Sequence, residues 1–305
     1  MVFAKRNFST RGRRRNPQEI SNAGSTRHAA WCAKFRKTVL DFYKKHGRHG
    51  LPWRSPSLKF RRTKGELNPY RILVSEVMLQ QTQVDRVIPY YKKFLKTFPT
   101  SQALADASLG DVLRAWQGLG YNRRAKMLHE TAKAITMIYH SKFPREYDAL
   151  VALPGVGEYT AHAVRVFAFN EPEVLIETNI RTVFIHHFFP RSRSVTDKEI
   201  VRYIVQTLDR KNPRVWYAAL MDYGAHLKKT VPNPSRKSAH HLRQKPFKGS
   251  DREIRGALLS AAVTGPMSRR RLDMLPFEKG RIKAQLDALF REKLVIKRNA
   301  TYHLP

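Results

Sequence analysis

Two carboxylate side chains in apolar segments could together cleave a glycosidic bond. Glu76 lies in SEVMLQQTQV and Glu177 lies in VLIETNIRTVF, each among apolar neighbours. A dry pocket raises the pKa of a carboxyl group, so Glu76 can hold a proton near neutral pH and pass it to a leaving group. A second carboxylate can then stabilise the positive charge that develops on the sugar. The alternatives are a stray acid on a packed helix for Glu76 and a complement to a helix dipole for Glu177, with Thr178 or Asn179 as the helix cap.

A glycine turn between these two acids is suited to binding a phosphate group. In LPGVGEYTAHAVRVFAF, Gly155 and Gly157 flank Val156 and precede a helix that begins around Glu158. Glycine permits positive φ and leaves no side chain between the backbone and a ligand. The N–H groups in the first turn of the helix can then donate to a phosphate oxygen. This arrangement indicates a helix-hairpin-helix that binds the DNA backbone, with a tight corner between two helices as the alternative.

The charge of the chain favours nucleic acid as a partner. Its 305 residues include 58 Lys and Arg against 24 Asp and Glu, a formal net charge of +34. Such a field attracts polyanions, and neutralised phosphates supply most of the affinity of non-specific DNA binding. Residues 1–16 contain six basic and no acidic residues, and residues 224–250 contain seven basic and no acidic residues. Ribosome association, or simply a basic proteome, would give the same balance.

The elements that must position these residues are helices. Apolar side chains recur at spacings of three and four along 84–98, 109–116 and 128–139, the pattern of one helix face. Pro89 lies inside the first of these stripes and should kink its helix. No alternating strand of any length occurs between residues 28 and 226, so we expect an all-α main domain.

Composition divides the chain into four parts. We expect a basic disordered arm (1–27), a helix-hairpin-helix domain (28–227), a basic linker or loop (228–250) and a small C-terminal unit (251–305). In the last part, three helical stripes precede LVIKRNATYHL, which contains two short β-prone runs around a polar turn. This order predicts a winged-helix-like α+β unit, with a protein-contact module as the alternative.

The cysteine and hydropathy patterns exclude several kinds of site. Cys32 is the only cysteine, so the chain has no internal disulfide, no cysteine-based zinc site and no iron–sulfur cluster, which needs about four thiolates. The twelve histidines are scattered, and we predict neither a metal nor a cofactor. No apolar run approaches the roughly 18 residues of a membrane span, and the N-terminus lacks an apolar signal core. We therefore expect a cytoplasmic protein that does not bind a membrane.

Five motifs, which include the segments around Glu76 and Gly155, occur in an order that is typical of one family. They are LPW (51–53), PYRILVSEVMLQQTQV (69–84), GLGYNRRAKMLH (118–129), LPGVGEYTA (153–161) and MDYGA (221–225). Over residues 34–227 the chain thereby resembles the adenine DNA glycosylases of the MutY type, in the helix-hairpin-helix DNA glycosylase superfamily. The resemblance implies two helical subdomains with a DNA cleft between them, and removal of adenine mispaired with 8-oxoguanine or guanine. It implies double-stranded DNA with a mismatched or oxidised base pair as the partner, bound by a monomer that associates with a bacterial nucleoid.

The resemblance also implies a role for each matching residue. In the catalytic set, Glu76 would protonate the adenine ring, Glu177 would stabilise the cationic sugar, and Asn179 matches an asparagine beside the catalytic acid. Tyr159 stands where bifunctional relatives have a Schiff-base lysine, which predicts hydrolysis without strong β-lyase activity. The residues matched to the base pocket are Trp53, Arg54 and Met221. The residues expected at the DNA are Gln80, Gln81 (a wedge), Tyr121 (an intercalating ring), Arg123, Gly155, Val156 and Gly157, together with Lys228 and Lys229 of the basic segment.

Three departures from the family pattern bear on which base is removed, whereas the type of reaction does not depend on them. Glu177 occupies an aspartate position, and HLKKTVPNPSRKSAHH follows MDYGA where relatives have four cysteines. We expect its Lys and Arg residues to contact phosphates in place of the loop that bears the cluster. The C-terminal part is too short for the Nudix-like domain that reads 8-oxoguanine in the family, and Ala218 replaces a polar pocket residue. The alternatives are a glycosylase for thymine or uracil opposite guanine, or a non-catalytic protein that binds mismatched or damaged DNA.

Overall fold

Helices follow one another through most of the chain, as the spacing of its apolar side chains predicts. The structure, a computed structural model, describes residues 17–54, 66–241 and 246–305, with side chains from residue 29 onward. Within these ranges the helices are α1 (Pro17–His46), α2 (Pro69–Leu79), α3 (Val84–Thr97), α4 (Ser101–Asp106), α5 (Leu109–Trp116), α6 (Arg123–Tyr139), α7 (Tyr147–Val151), α8 (Glu158–Phe169), α9 (Thr178–Phe188), α10 (Asp197–Thr207), α11 (Pro213–Thr230), α12 (Asp251–Thr264), α13 (Arg269–Asp273) and α14 (Lys279–Arg291).

A short antiparallel hairpin ends the chain, in the segment where two β-prone runs are predicted. Its strands are β1 (Ile296–Arg298) and β2 (Thr301–His303), with Lys297 opposite Tyr302. Asn299 takes positive φ in the turn between them, as a short polar side chain can. In the described residues these are the only strands, and the prediction of a mainly helical fold is confirmed.

Two buried clusters form the cores of two helical subdomains. The first lies among α2, α3, α5, α6 and α8 and includes Tyr91 and Trp116, both fully buried. The second lies among α1, α9, α10 and α11 and includes Phe184 and Trp216. The expected two-subdomain architecture is thereby confirmed.

The helix α8 belongs to both cores. Ala161 and Val164 are buried in the first cluster, whereas Ala163 and Val166 are buried in the second. Small and β-branched side chains on both faces let neighbouring helices approach it closely. The start of α8 therefore lies at the boundary of the two subdomains, next to both candidate acids.

The C-terminal residues 246–305 pack against the first subdomain. Ile254 and Leu258 of α12 join the first buried cluster, as do residues of α14. Gln117 Nε2 donates a hydrogen bond of 2.9 Å to Ser260 Oγ, and Lys126 Nζ donates one of 2.8 Å to the backbone oxygen of Glu292. This C-terminal unit (residues 246–305) thus shares a core with the helices that carry Glu76.

One boundary differs from that expected. Helix α1 begins at Pro17, so residues 17–27 of the expected arm are helical, whereas residues 1–16 lie outside the described part of the chain. Pro89 lies inside helix α3, which runs to Thr97.

The start of the expected basic linker is attached to the second subdomain. After α11 a 3₁₀ turn spans Pro234–Lys237, and its neighbour Ser238 forms a β-bridge with Val195. The amide of Ala239 donates to the carbonyl of Val195 at 2.9 Å. Backbone pairing therefore fixes this part, and residues 242–245 lie outside the described residues.

Candidate active site and DNA interface

Helix α2 places Glu76 at the cleft between the subdomains. The helix begins at Pro69, whose ring suits the first helical position, after the cap Asn68, which accepts a 3.2 Å hydrogen bond from the amide of Arg71. Most of its residues are buried, including Ser75 and Val77, the two neighbours of Glu76 in sequence. The rigid, buried helix fixes the position of the one carboxyl group that it carries.

The environment of Glu76 favours its protonated form. The residue is partly exposed, but protein atoms surround the carboxyl group, and this desolvation raises its pKa to about 7. The carboxylate of Glu177 adds to the increase, whereas a hydrogen bond from Tyr159 and the positive charge of Arg54 oppose it. At neutral pH a large fraction of Glu76 is therefore protonated and able to act as an acid.

Tyr159 joins the two acids from the second residue of α8. Its hydroxyl is hydrogen-bonded to the Glu76 carboxyl group. Burial, and then the charges of Glu76 and Glu177, raise the pKa of Tyr159 well above its usual value. The phenol stays protonated and can donate to a carboxylate throughout the physiological range.

Glu177 is itself the N-cap of α9, a role that the alternative interpretation of this segment gave to Thr178 or Asn179. Its Oε1 accepts hydrogen bonds from the amides of Asn179 (2.7 Å) and Ile180 (2.9 Å). These are the amides that a shorter Asp or Ser cap would bind, so the additional methylene does not disturb the cap. Its Oε2 lies 3.3 Å from Asn179 Nδ2. The carboxylate is held in one orientation by three donors.

Asn179 is held in turn by α11. Lys228 Nζ donates to Asn179 Oδ1 at 2.8 Å, and burial lowers the pKa of Lys228. A Cβ on Gly224 would lie 2.2 Å from the backbone oxygen of Asn179, so only glycine permits this close approach of α11 to α9. Lys228, predicted to bind phosphate, thus contacts the acid network instead.

Arg54 approaches the acids from the LPW segment. Its guanidinium forms a two-pronged ion pair with Asp222, with N···O distances of 2.7 and 2.9 Å. The backbone amide and side chain of Arg48 also bind Asp222, which is almost fully buried. Asp222, in the MDYGA motif, was not among the predicted site residues, although an acid inside an apolar helix is the signal that could have indicated it.

Two of the three predicted pocket residues pack mainly into the cores. The indole of Trp53 is 8% exposed and contacts the ring of Tyr91 edge-on, with 5.3 Å between ring centroids. Met221 is partly buried against the second core. Arg54 is therefore the predicted pocket residue with a direct electrostatic effect on Glu76.

The end of α2 is bound by Arg124, another residue that sequence reasoning missed. Its Nη1 donates to the backbone oxygens of Val77 (2.7 Å), Met78 (3.0 Å) and Gln80 (2.6 Å). A cation at a helix C-terminus satisfies carbonyl groups that have no partner within the helix. The same side chain donates to the backbone oxygen of Gly120 at 3.1 Å. Arg124 therefore joins the helix that carries Glu76 to the GLGY turn.

Two residues predicted to enter the DNA stack have strained backbones. Gln81 and Tyr121 take φ of 55° and 49°, in the left-handed region that side chains other than glycine rarely adopt. Such conformations cost about 1–3 kcal/mol and often occur at ligand-binding sites. Gln80, Gln81, Tyr121, Arg123 and Gly155 line one groove of about 1260 Å³, so the structure brings these predicted DNA residues together.

The predicted helix-hairpin-helix is formed by α7, the turn 152–157 and α8. Gly155 takes φ of 74°, and a Cβ there would lie 2.4 Å from the Cβ of Met127. Val156 is buried, whereas Gly157 is exposed and precedes the first turn of α8. At Gly155 and Gly157 the turn therefore exposes backbone without a side chain.

The comparisons with known proteins agree with this geometry. Residues 74–208 match the family model of the HhH-GPD superfamily base excision DNA repair proteins. An adenine DNA glycosylase of Mycolicibacterium smegmatis is 35% identical over 283 residues, which cover 84% of this chain and 91% of that protein. The chain belongs to the adenine DNA glycosylase family.

Other relatives agree with this family over part of their length. An adenine DNA glycosylase of Buchnera aphidicola is 37% identical over 195 residues, which cover 63% of this chain and 52% of that protein. The chain thus spans about half the length of this relative. A solved structure of a thermostable thymine-DNA glycosylase has the same fold, with a TM-score of 0.53 and 24% identity over 64% of this chain and 87% of that one.

The residues after α11 do not fit the iron–sulfur cluster that many members of this family hold. No cysteine follows the MDYGA motif, and Cys32, on α1, is buried. Lys237 Nζ instead donates to the backbone oxygen of Pro190 at 2.7 Å, while Lys229 and Arg236 are exposed. Hydrogen bonds hold this segment against the second subdomain.

Proposed function

We propose that this protein is a monofunctional base excision glycosylase that hydrolyses the N-glycosidic bond of adenine opposite 8-oxoguanine or guanine in double-stranded DNA. The observation that carries the proposal is the position of Glu76. Its carboxyl group, with a pKa of about 7, lies beside Tyr159 and within electrostatic reach of Glu177. The adenine DNA glycosylase of Mycolicibacterium smegmatis, matched over 84% of this chain, supports adenine as the base.

The reaction requires the adenine to leave the stack, because its glycosidic bond is shielded in the duplex. Glu76 passes its proton to the extruded base, and the C–N bond breaks as the base leaves with the bonding electrons. The Glu177 carboxylate stabilises the positive charge that develops on the sugar. A water molecule then adds its oxygen to the anomeric carbon, and its released proton restores the protonated form of Glu76.

Tyr159 supports hydrolysis without lyase chemistry. A Schiff base requires an amine, and at this position the chain has a phenol that remains protonated. The nearby amine of Lys228 is bound to Asn179. A monofunctional enzyme would therefore leave an abasic site with both strands intact.

The partner and the mode of action follow from the same reasoning. The charge of +34 and the glycine hairpin suit duplex DNA. We infer that the protein acts as a monomer on nucleoid DNA in the cytoplasm, without a metal or cluster. In the described part of the chain, no helix is both long and apolar enough to cross a membrane.

A single-turnover assay tests this function. Duplexes carry adenine, thymine or uracil opposite 8-oxoguanine or guanine, and alkali converts abasic sites to breaks. We expect excision of adenine in both contexts, and breaks in the strand only after alkali. Excision of thymine or uracil but not adenine would move the chain to the other glycosylase class, and binding without cleavage of any duplex would favour the non-catalytic alternative.

A further inference from the structure

The C-terminal unit forms one wall of the groove that contains the predicted DNA residues. Phe247 and Arg252, the latter on α12, line this groove together with Gln81 and Tyr121. None of the five motifs includes these residues, which follow the part of the chain, residues 34–227, that contains the motifs. Their position raises the question of what the unit does beside the DNA.

Arg252 binds the residue expected to intercalate. Its Nη1 donates a 2.8 Å hydrogen bond to the hydroxyl of Tyr121, and its guanidinium carbon lies 5.7 Å from the centre of that ring. Arg124 lies 5.4 Å from the centre of the same ring. Two guanidinium groups, one from each wall of the groove, therefore fix a side chain whose backbone is already strained.

Phe247 extends this stack toward solvent. The Arg252 guanidinium carbon lies 6.0 Å from the centre of the Phe247 ring, and Phe247 is 59% exposed. Among the exposed large apolar side chains of the described residues, Phe247 lines the groove and lies beside Arg252. Its flat ring can stack on any base or sugar that a distorted duplex presents.

The groove is lined by more basic than acidic side chains, which suits the negative charge of a nucleic acid. Glu292 is the only acidic residue among its described lining residues and is paired with Arg255 at 2.7 Å. Five arginines line the same groove, namely Arg86, Arg123, Arg124, Arg252 and Arg255. Such an excess of positive charge around exposed aromatic rings is typical of a surface that follows a phosphate backbone.

We propose that the C-terminal unit is part of the DNA interface, with Phe247 as a second aromatic contact and Arg252 as the residue that positions Tyr121. Phe247 stacks against the duplex where it is distorted beside the mispair. Arg252 holds the Tyr121 ring in one conformation before DNA binds, so the side chain loses less conformational entropy on binding. This inference rests on the proposed function for the identity of the DNA, and extends it to a unit without an assigned role.

Binding measurements on an inactive background test the proposal. In Glu76→Gln protein, which binds without cutting, the affinity for a duplex with adenine opposite 8-oxoguanine is measured by fluorescence anisotropy. We expect Phe247→Ala and Arg252→Ala each to weaken binding about tenfold. A 2-aminopurine beside the mispair should also show less unstacking with either variant.

Two matched controls lie on the same unit away from the groove. Phe290→Ala removes an aromatic ring that is 48% exposed, and Arg269→Ala removes an exposed arginine at the start of α13. Both controls should bind within twofold of the parent. Equal losses in controls and test variants, or no loss in the test variants, would overturn the proposal. Melting temperatures and Arg252→Lys, which retains the charge but lacks the planar guanidinium, separate a folding defect from a lost contact.

A double-mutant cycle tests the positioning role of Arg252. In a Tyr121→Ala background, Arg252→Ala should weaken binding by less than twofold, because the side chain that it positions is gone. A full tenfold loss in that background would show that Arg252 acts independently and would overturn its positioning role. The proposed function fails separately, if wild-type protein with intact binding cuts no adenine duplex.

Discussion

Glu76 and Glu177 show how one residue type acquires two roles in two environments. Glu76 lies in the interior of a helix, where desolvation raises the pKa of its carboxyl group to about 7. Glu177 caps a helix, where two backbone amides and the side chain of Asn179 bind its oxygens. The first environment holds a proton and the second holds a carboxylate in place. The local environment, and not the residue type, therefore separates these two carboxyl groups.

The largest expected effect comes from removing the proton at Glu76. Glu76→Gln preserves the shape of the side chain but has no acidic proton, so single-turnover excision of adenine should fall by about 10³-fold or more. Binding to the uncleaved duplex, measured by anisotropy, should remain within a few-fold of wild type. An active Glu76→Gln enzyme would assign the acid to another residue.

The Glu177 side of the comparison allows a graded test. Glu177→Gln removes the negative charge that faces the sugar, and excision should fall by about 10²-fold to 10³-fold. Glu177→Asp retains both the charge and the N-cap, and should stay within about tenfold of wild type, because a shorter cap binds the same two amides.

The control for this series is Glu199→Gln. Glu199 is the acid of the capping box that begins α10, and it lies in the same subdomain. The Glu199→Gln variant should be less stable than wild type, and its rate of excision should be unchanged. If Glu177→Asp were as slow as Glu177→Gln, the longer side chain would be required for reach and not only for charge.

The position of the second acid also depends on how closely α11 approaches α9. In Gly224→Ala a new Cβ would lie 2.2 Å from the backbone oxygen of Asn179, so the helices must separate. Overpacking of this kind costs about 1–3 kcal/mol of unfolding free energy, which a thermal melt would show. Excision should fall about tenfold, because Asn179 and Glu177 shift together. In Gly50→Ala a new Cβ meets no atom within 4 Å, and the variant should match wild type in both measurements.

Local patterns predicted Glu76, the glycine hairpin and the helical fold. Each depends on residues close together in sequence: the apolar spacing around Glu76, and Gly155 and Gly157 before Glu158. The terminal hairpin was predicted for the same reason, from two β-prone runs around Asn299.

Residues whose partners are distant in sequence were missed or misplaced. Arg124 binds the end of a helix more than 40 residues earlier, and Arg252 binds Tyr121 across 131 residues of sequence. Lys228 was assigned to phosphate because its neighbours are basic, yet the packing of α11 on α9 directs it to Asn179. The sequence shows that Lys228 is a cation, but the packing of two helices determines which group it binds.

The smallest expected effect changes the pH dependence of excision and not its maximum. Glu76 must be protonated to act, so activity should be full below its pKa of about 7 and fall as pH rises through that value. The hydrogen bond from Tyr159 lowers this pKa, because the phenol donates to the carboxylate form. Tyr159→Phe removes that donor, so the fall should move to higher pH and the fraction of activity left at pH 8 should increase. Tyr139→Phe on α6, distant from the acids, should leave the profile unchanged. A fall at the same pH in Tyr159→Phe would mean that the group titrating in the profile is not Glu76. The two acids would then differ in position but not in the role that the pKa of Glu76 gives it.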